Sequence, residues 1–178
     1  MNSYSEEKIM MEVKNGDLEK LSLLFEKYKT QLFNFFIKQT FDRDVSNDLL
    51  QNVFYKILKY RHSFNKDKKF YSWMYKIARN ILNDYYFKSI RSNNNIEIDK
   101  LKDNNELDIN NEKQENIEQL YSALNKLSPK NREIIVMCKI NNMKYKDIAE
   151  IMDTSESVIK VTVHRAMNKL RKIYFSLN

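Results

Sequence analysis

The stretch that decides the fold is residues 145–165, which read YKDIAEIMDTSESVIKVTVHR. Apolar residues recur at spacings of three and four in its first half, which predicts a helix that ends before Asp153. The next residues, Asp153-Thr154-Ser155, favour turns and N-caps, and Ser155 is expected to cap a second helix. Asp153 stands where such turns often have glycine, and aspartate tolerates the left-handed backbone conformation. Two helices joined in this way predict a helix-turn-helix, whose second helix enters the major groove of DNA.

The second helix of this motif should have two faces of different chemistry. Its inward face is expected to hold Val158 or Ile159, then Thr162 or Val163, and then Ala166. An ordinary helical hairpin with a solvated, charged face is the alternative interpretation of the same pattern. The outward face is predicted to be polar and basic, and its residues are Ser157, Lys160, Val161, His164 and Arg165.

Composition points to an all-α protein with a polyanionic partner. The 178 residues include one glycine and one proline, which leaves little material for hairpin turns, and strand-like alternation is absent. The net charge of +7 is unevenly spread: it is +5 over residues 1–90, −4 over residues 91–118 and +6 over residues 119–178. Two basic blocks around an acidic connector point to a polyanionic partner, although charge alone gives solubility as readily as binding.

The periodicity divides the chain into two small helical domains joined by a flexible linker. Residues 1–90 show four helical stripes, enough for one compact module, and the first helix, over about residues 4–14, should be ended by Asn15-Gly16. Residues 91–116 are rich in asparagine and acidic residues and should be extended or disordered when free. Residues 117–178 form the second domain. In it, a helix that starts at Ser128-Pro129 should run to Asn141-Asn142, after which the helix-turn-helix begins.

Catalysis, metal binding and membrane insertion find little support in the sequence. Cys138 is the only cysteine and is expected to be a buried small hydrophobe. His62 and His164 stand in different domains, in no metal-ligand spacing. A single glycine cannot form a glycine-rich phosphate loop. We therefore expect neither an enzyme nor a metal or cofactor, and the absence of a signal segment or long apolar run predicts a cytoplasmic protein without stable membrane insertion.

Residues 64–86 interleave aromatic and basic side chains. Cations suit phosphates, and flat rings suit stacking on unpaired bases. Helical spacing assigns Phe70 and Trp73 to the core. Phe64, Tyr71 and Tyr75 fall outside that spacing and are the better candidates for contact with a nucleic acid.

Three groups of residues, in this order, resemble the motifs of extracytoplasmic-function sigma factors, the compact two-domain type of bacterial RNA polymerase initiation factor. The first group is residues 48–54 (DLLQNVF), and the second is residues 70–80 (FYSWMYKIARN) with Asp84-Tyr85 after them. The third spans residues 127–166, including the helix-turn-helix. The resemblance covers nearly all of the chain except residues 91–116.

The resemblance implies a role for each group. The helix of residues 48–54 would dock on the clamp of the largest polymerase subunit. The loop of residues 62–71 would capture a flipped base, and the helix after it would help to melt the −10 element. The second helix of the helix-turn-helix would read the −35 element. The implied partners are bacterial core RNA polymerase, promoter DNA and, where one exists, an anti-sigma factor.

The residues implied by the resemblance fall into three sets. The polymerase-binding set is Asp48, Leu49, Gln51, Asn52 and Tyr55. The set for binding and melting the −10 element is Phe64, Lys68, Lys69, Tyr71, Tyr75, Lys76, Arg79 and Asn80. The −35 set is Ser155, Ser157, Lys160, Val161, His164 and Arg165.

Some positions depart from the family pattern. Asn52 replaces a commonly acidic residue, and residues 88–91 (KSIR) are less basic than usual. Val161 and Thr162 replace polar and basic residues, so the −35 specificity cannot be transferred. Two other functions remain open: an autonomous helix-turn-helix regulator, which would bind DNA without polymerase, and a protein-interaction adaptor, which would never touch DNA.

Overall fold

The regular structure of residues 5–91 and 111–177, the part of the chain that this computed structural model describes, is helical. No strand occurs in these two ranges, which confirms the predicted all-α fold class. The helices are α1 (Glu6–Lys14), α2 (Leu21–Thr40), α3 (Arg43–Lys59), α4 (Phe70–Arg91), α5 (Asn111–Asn125), α6 (Pro129–Ile135), α7 (Tyr145–Ile151) and α8 (Glu156–Phe175).

The described residues divide into two compact units. Residues 5–36 and 43–91 belong to the first, and residues 37–42 and 111–177 belong to the second. Most of the predicted linker, residues 92–110, lies outside the described residues. Helix α5 begins at Asn111, six residues before the start predicted for the second domain. The first turns of α5 are polar, so apolar periodicity gave no sign of them.

The first unit packs the apolar stripes of α1 to α4 against one another. Helix α1 buries Met10 and Val13 and ends at Lys14. Gly16, just past the C-cap Asn15, has a φ of 113°, which only glycine adopts freely. Gly16 therefore terminates α1 as the sequence predicted. The large side chains that are buried on α2, α3 and α4 are Leu24, Tyr28, Leu32, Phe35, Phe36, Leu49, Leu50, Val53, Phe54, Ile57, Phe70, Met74, Tyr75, Ile81 and Leu82.

The second unit closes around the C-terminal part of α5. Arg132 of α6 is buried, and its guanidinium donates from Nε to the carbonyl oxygen of Leu124 (3.0 Å) and from Nη2 to that of Asn125 (2.8 Å). These carbonyls lie at the end of α5 and lack partners within the helix, so a cation is favourable there. Arg132 thus fixes α6 against α5. The core also includes Ala123, Leu124, Leu127, Ile135, Ala166 and Leu170.

The periodicity predicted one continuous helix to Asn141-Asn142, but α6 ends as an α-helix at Ile135. It widens into a π-helical turn, Val136–Ile140, which buries Val136, Met137 and Cys138. Asn142 then adopts a left-handed conformation with φ of 51°, which asparagine tolerates better than most residues. The predicted burial of Cys138 is confirmed.

The predicted helix-turn-helix is formed by α7 and α8. Asp153 has a φ of 50°, as expected for the turn position that often holds glycine. The Oγ of Ser155 accepts a hydrogen bond from the backbone N–H of Val158 (3.3 Å), which confirms Ser155 as the N-cap of α8. Ile148 and Ala149 of α7 are buried, and α8 buries Ile159, Val163, Ala166 and Leu170.

Candidate polymerase-binding and DNA-binding surfaces

The outer face of α3 is a polar surface with one large aromatic ring. Asp48, Gln51, Asn52 and Tyr55 are all exposed, and Tyr55 is 60% exposed. Their spacings of three and four place them on one side of the helix. We call these four residues the α3 face. A carboxylate, two amides and an exposed phenol form a surface suited to a protein partner.

Leu49 does not belong to this face. It is 6% exposed and packs in the core with its neighbour Leu50. Its place in the predicted polymerase-binding set was therefore wrong. Asp48 and Leu49 are adjacent, and adjacent residues of a helix point in directions about 100° apart, so a contiguous motif always includes side chains from the buried stripe.

The segment between α3 and α4 is a short basic loop. Asn65, Lys66, Asp67, Lys68 and Lys69 are all exposed. The Oδ1 of Asn65 accepts a hydrogen bond from the N–H of Asp67 (2.9 Å), and its carbonyl oxygen accepts one from Lys68 (3.0 Å). These bonds close a tight turn that presents three lysines and one carboxylate. We call residues 65–69 the basic loop.

Two aromatic rings that the sequence assigned to DNA contact are buried. Phe64 is 1% exposed and Tyr75 is 0% exposed. The Phe64 ring lies 5.3 Å from Trp73, and the Tyr75 ring lies 5.5 Å from Phe35, measured between ring centroids. The prediction that Phe64 and Tyr75 face a nucleic acid was wrong. The buried face of α4 is wide enough to include Tyr75, and Phe64, which precedes α4, packs against the Trp73 ring of that helix.

The other predicted −10 residues lie at or near the surface of α4. Tyr71 is half-buried, and its hydroxyl accepts a hydrogen bond from Nε2 of Gln31 (3.3 Å). Lys76 and Arg79 are half-buried as well, and Asn80 is exposed. Cationic and amide groups therefore lie at the surface of α4, the helix that directly follows the basic loop.

Helix α1 anchors both ends of the basic loop, which sequence reasoning missed. The Nζ of Lys14 donates to the carbonyl oxygen of Phe64 (2.8 Å), just before the loop. A carboxylate oxygen of Glu7 accepts from the backbone N–H of Phe70 (3.1 Å), just after it. These contacts join residues 50 and 63 positions apart, and no local sequence pattern signals them.

The outward face of α8 carries the predicted −35 set. Ser157, Lys160, Val161, His164 and Arg165 are all exposed, as their spacing predicted. Ser155 is exposed too, but its hydroxyl serves as the helix cap and lies 2.9 Å from Oγ of Ser157.

Lys160 has an acidic neighbour on the same face. Its Nζ lies 3.0 Å from a carboxylate oxygen of Glu156, one turn earlier, and both side chains are largely exposed. The pair is of the i,i+4 type that stabilises an isolated helix by only a few tenths of a kcal/mol. Lys160 can therefore leave Glu156 for a phosphate at little cost.

Metal binding and membrane insertion are addressed by two further observations. Among residues 5–91 and 111–177, no group of three or more His, Cys, Asp or Glu side chains is arranged to hold a metal ion. Within the same two ranges, no helix combines the length and the apolar character that a membrane span requires.

Comparisons with known proteins match both units. Residues 24–91 match the family model for Sigma-70 region 2, and residues 117–170 match that for Sigma-70, region 4. The ECF RNA polymerase sigma factor SigX of Bacillus subtilis is 27% identical over 164 residues, which cover 86% of this chain and 83% of SigX.

Two solved structures share the fold. CnrH in complex with the cytosolic domain of CnrY has a TM-score of 0.75 at 18% identity, and the match covers 96% of this chain and 97% of CnrH. The sigma factor RpoE in complex with the anti-sigma factor NepR from Bartonella quintana has a TM-score of 0.71 at 24% identity, covering 85% and 94%. The chain belongs to the sigma-70 family, as an RNA polymerase sigma factor of the extracytoplasmic-function type.

Proposed function

We propose that this sigma factor directs core RNA polymerase to promoters through three separate surfaces. The α3 face docks on the polymerase. The basic loop and the surface of α4 bind and melt the −10 element. The outward face of α8 lies in the major groove of the −35 element. This work needs no catalytic group, metal or cofactor from the chain, and it takes place in the cytoplasm, where the polymerase acts.

The observation that carries the proposal is the clean division of α8 into two faces. The inward face of α8 packs against the rest of the second unit. The outward face exposes Lys160, His164 and Arg165, which follow the capped turn. Cations and hydrogen-bond donors at the start of a helix can reach phosphates and base edges in the major groove.

The structures of CnrH with CnrY and of RpoE with NepR suggest a further partner. Both are complexes of a similar fold with a second protein, and in the second structure that protein is described as an anti-sigma factor. We propose that an anti-sigma factor also binds this chain and competes with polymerase or DNA for one of the three surfaces.

Reconstituted transcription tests the proposal. Core polymerase is combined with the purified full chain on a library of genomic fragments, and the transcript starts are mapped. We expect starts that appear only with the chain present and that share two upstream elements. An autonomous regulator would instead shift DNA without core polymerase, and would direct no new starts.

A further inference from the structure

The outward face of α8 exposes two valines in the first two turns of the helix. Val158 is 51% exposed and Val161 is 50% exposed. The sequence left Val158 open as an inward residue, but Ile159 fills that place with 1% exposure. The two valines are three residues apart and therefore neighbours on the helix surface. They form a small apolar strip on the face that should contact DNA.

The hydroxyl groups near the two valines are already engaged in hydrogen bonds within α8 and its N-cap. The Oγ1 of Thr162 donates its proton to the carbonyl oxygen of Val158 (2.8 Å). The Oγ of Ser155 accepts from the N–H of Val158 and lies against Ser157. A base edge placed over the strip would thus meet the valine methyl groups first.

The charges around the strip favour DNA as its occupant. Lys160 and Arg165 are exposed on either side of Val161 along the helix. Lys169, Arg171 and Lys172 continue the exposed positive charge toward the C-terminus. An apolar protein segment would find little complementarity in such surroundings, whereas phosphates would be attracted to them.

The major groove offers one prominent apolar group, the 5-methyl group of thymine. Side chains three residues apart on a helix have Cβ atoms about 5–6 Å apart. Base pairs follow one another every ~3.4 Å, so two valines with that spacing match thymines on adjacent or next-but-one base pairs. We propose that Val158 and Val161 read thymine in the −35 element through its methyl group. The inference rests on the proposed −35 function of α8.

A selection experiment locates the positions that are read. Holoenzyme made with the full chain selects from promoters whose −35 window is random and whose −10 element is fixed. We expect thymine, on either strand, to be enriched at one or two positions. Val161→Ala should lose the preference at one of them, whereas Val161→Ile should keep it. Phe175→Ala, which changes an exposed apolar residue at the far end of α8, is the control and should select like the wild type.

Replacing thymine by uracil at those positions then removes the methyl group alone. For the wild type we expect promoter affinity to fall about three- to fivefold per uracil, the size expected for one buried methyl group. For Val161→Ala, uracil and thymine should be bound alike at the position that Val161 reads. Fluorescence anisotropy of holoenzyme on labelled promoter measures the affinities.

The outcomes separate this inference from the proposed function. If the wild type selects a defined −35 sequence but binds uracil and thymine equally, the valines do not read thymine and the inference fails. The inference also fails if uracil weakens the wild type and Val161→Ala to the same extent. If nothing is enriched in the −35 window, the assignment of α8 to that element fails, and this inference fails with it.

Discussion

Glu7 caps helix α4 from another helix: its carboxylate accepts a hydrogen bond from the backbone N–H of Phe70 at 3.1 Å. The carbonyl oxygen of Lys69 accepts the first helical bond, from the N–H of Trp73, so Lys69 occupies the N-cap position. A lysine side chain has no acceptor and cannot cap a helix. The carboxylate from α1 fills this role, and its charge is favourable at the N-terminus of α4.

Replacing Glu7 by Ala should therefore destabilise the first unit. We expect a loss of about 1 kcal/mol in the free energy of unfolding, as for the loss of an N-cap. Urea denaturation of the full chain, followed by the fluorescence of Trp73, measures this because Trp73 is the only tryptophan and lies in α4.

Glu26→Ala is the control for Glu7→Ala. Glu26 forms an exposed ion pair with Lys29 at 2.7 Å, and such pairs contribute little. We expect a change of less than about 0.5 kcal/mol for this variant. Equal losses in the two variants would show that Glu7 acts as an ordinary surface charge and not as a cap.

Tyr28 makes the stability of the first unit sensitive to alkaline pH. Burial raises the pKa of Tyr28, and a hydrogen bond with Glu6 and the charge of Glu6 raise it further. In the unfolded chain a tyrosine ionises near pH ~10. Above that pH only the unfolded chain loses this proton, so the contribution of Tyr28 is fully present below pH ~10 and is lost as the pH rises further.

Replacing Tyr28 by Phe should flatten this alkaline decline. The free energy of unfolding of the wild type should fall more steeply between pH 9.5 and 11 than that of Tyr28→Phe, with a difference in slope of up to about 1.4 kcal/mol per pH unit. Tyr55→Phe changes an exposed ring and should follow the wild type. Parallel pH curves for Tyr28→Phe and the wild type would contradict the assignment.

Local features of the sequence predicted local structure well. Ser155 as a cap, Asp153 in a left-handed turn and Gly16 at the end of α1 are confirmed. Each depends on residues within one turn of helix, and the physical preference of a single residue type decides the outcome.

Features that depend on the packing of several helices could not be predicted from the sequence. Phe64 and Tyr75 were assigned to the surface because they fall outside the spacing of Phe70 and Trp73, but packing within the first unit buries both rings. The contacts of Glu7 and Lys14 with the ends of the basic loop connect distant parts of the chain. These contacts become visible only when α1 is packed against the rest of the first unit.

The α3 face gives a prediction about polymerase binding. Changing Asp48 and Gln51 together to Ala should leave the fold almost unaffected, because both side chains are exposed. It should weaken binding to core polymerase at least about tenfold, the loss expected when more than 1.4 kcal/mol of interface contacts is removed. Competition against labelled wild-type chain for core polymerase measures the affinity.

A matched double variant separates the α3 face from the general surface of the unit. Glu26→Ala with Thr30→Ala removes one acidic and one polar side chain from exposed positions on α2. This variant should compete for core polymerase as the wild type does. If the Asp48 and Gln51 variant competes equally well, α3 does not present the docking surface.

Lys160 and Glu156 give opposite expectations for promoter binding by the holoenzyme. Lys160→Met should weaken binding and lower the salt slope of log K by about one, since one phosphate contact is lost. Glu156→Gln should tighten binding by up to about twofold at low salt, because the competing carboxylate, 3.0 Å from Lys160, becomes neutral. Titrations at several salt concentrations measure both the affinity and the slope.

On a promoter with a scrambled −35 element both effects should shrink, since α8 then lacks the sequence that holds it in one register. Equal changes on the two templates, or a weaker complex for Glu156→Gln, would place Lys160 outside the DNA interface.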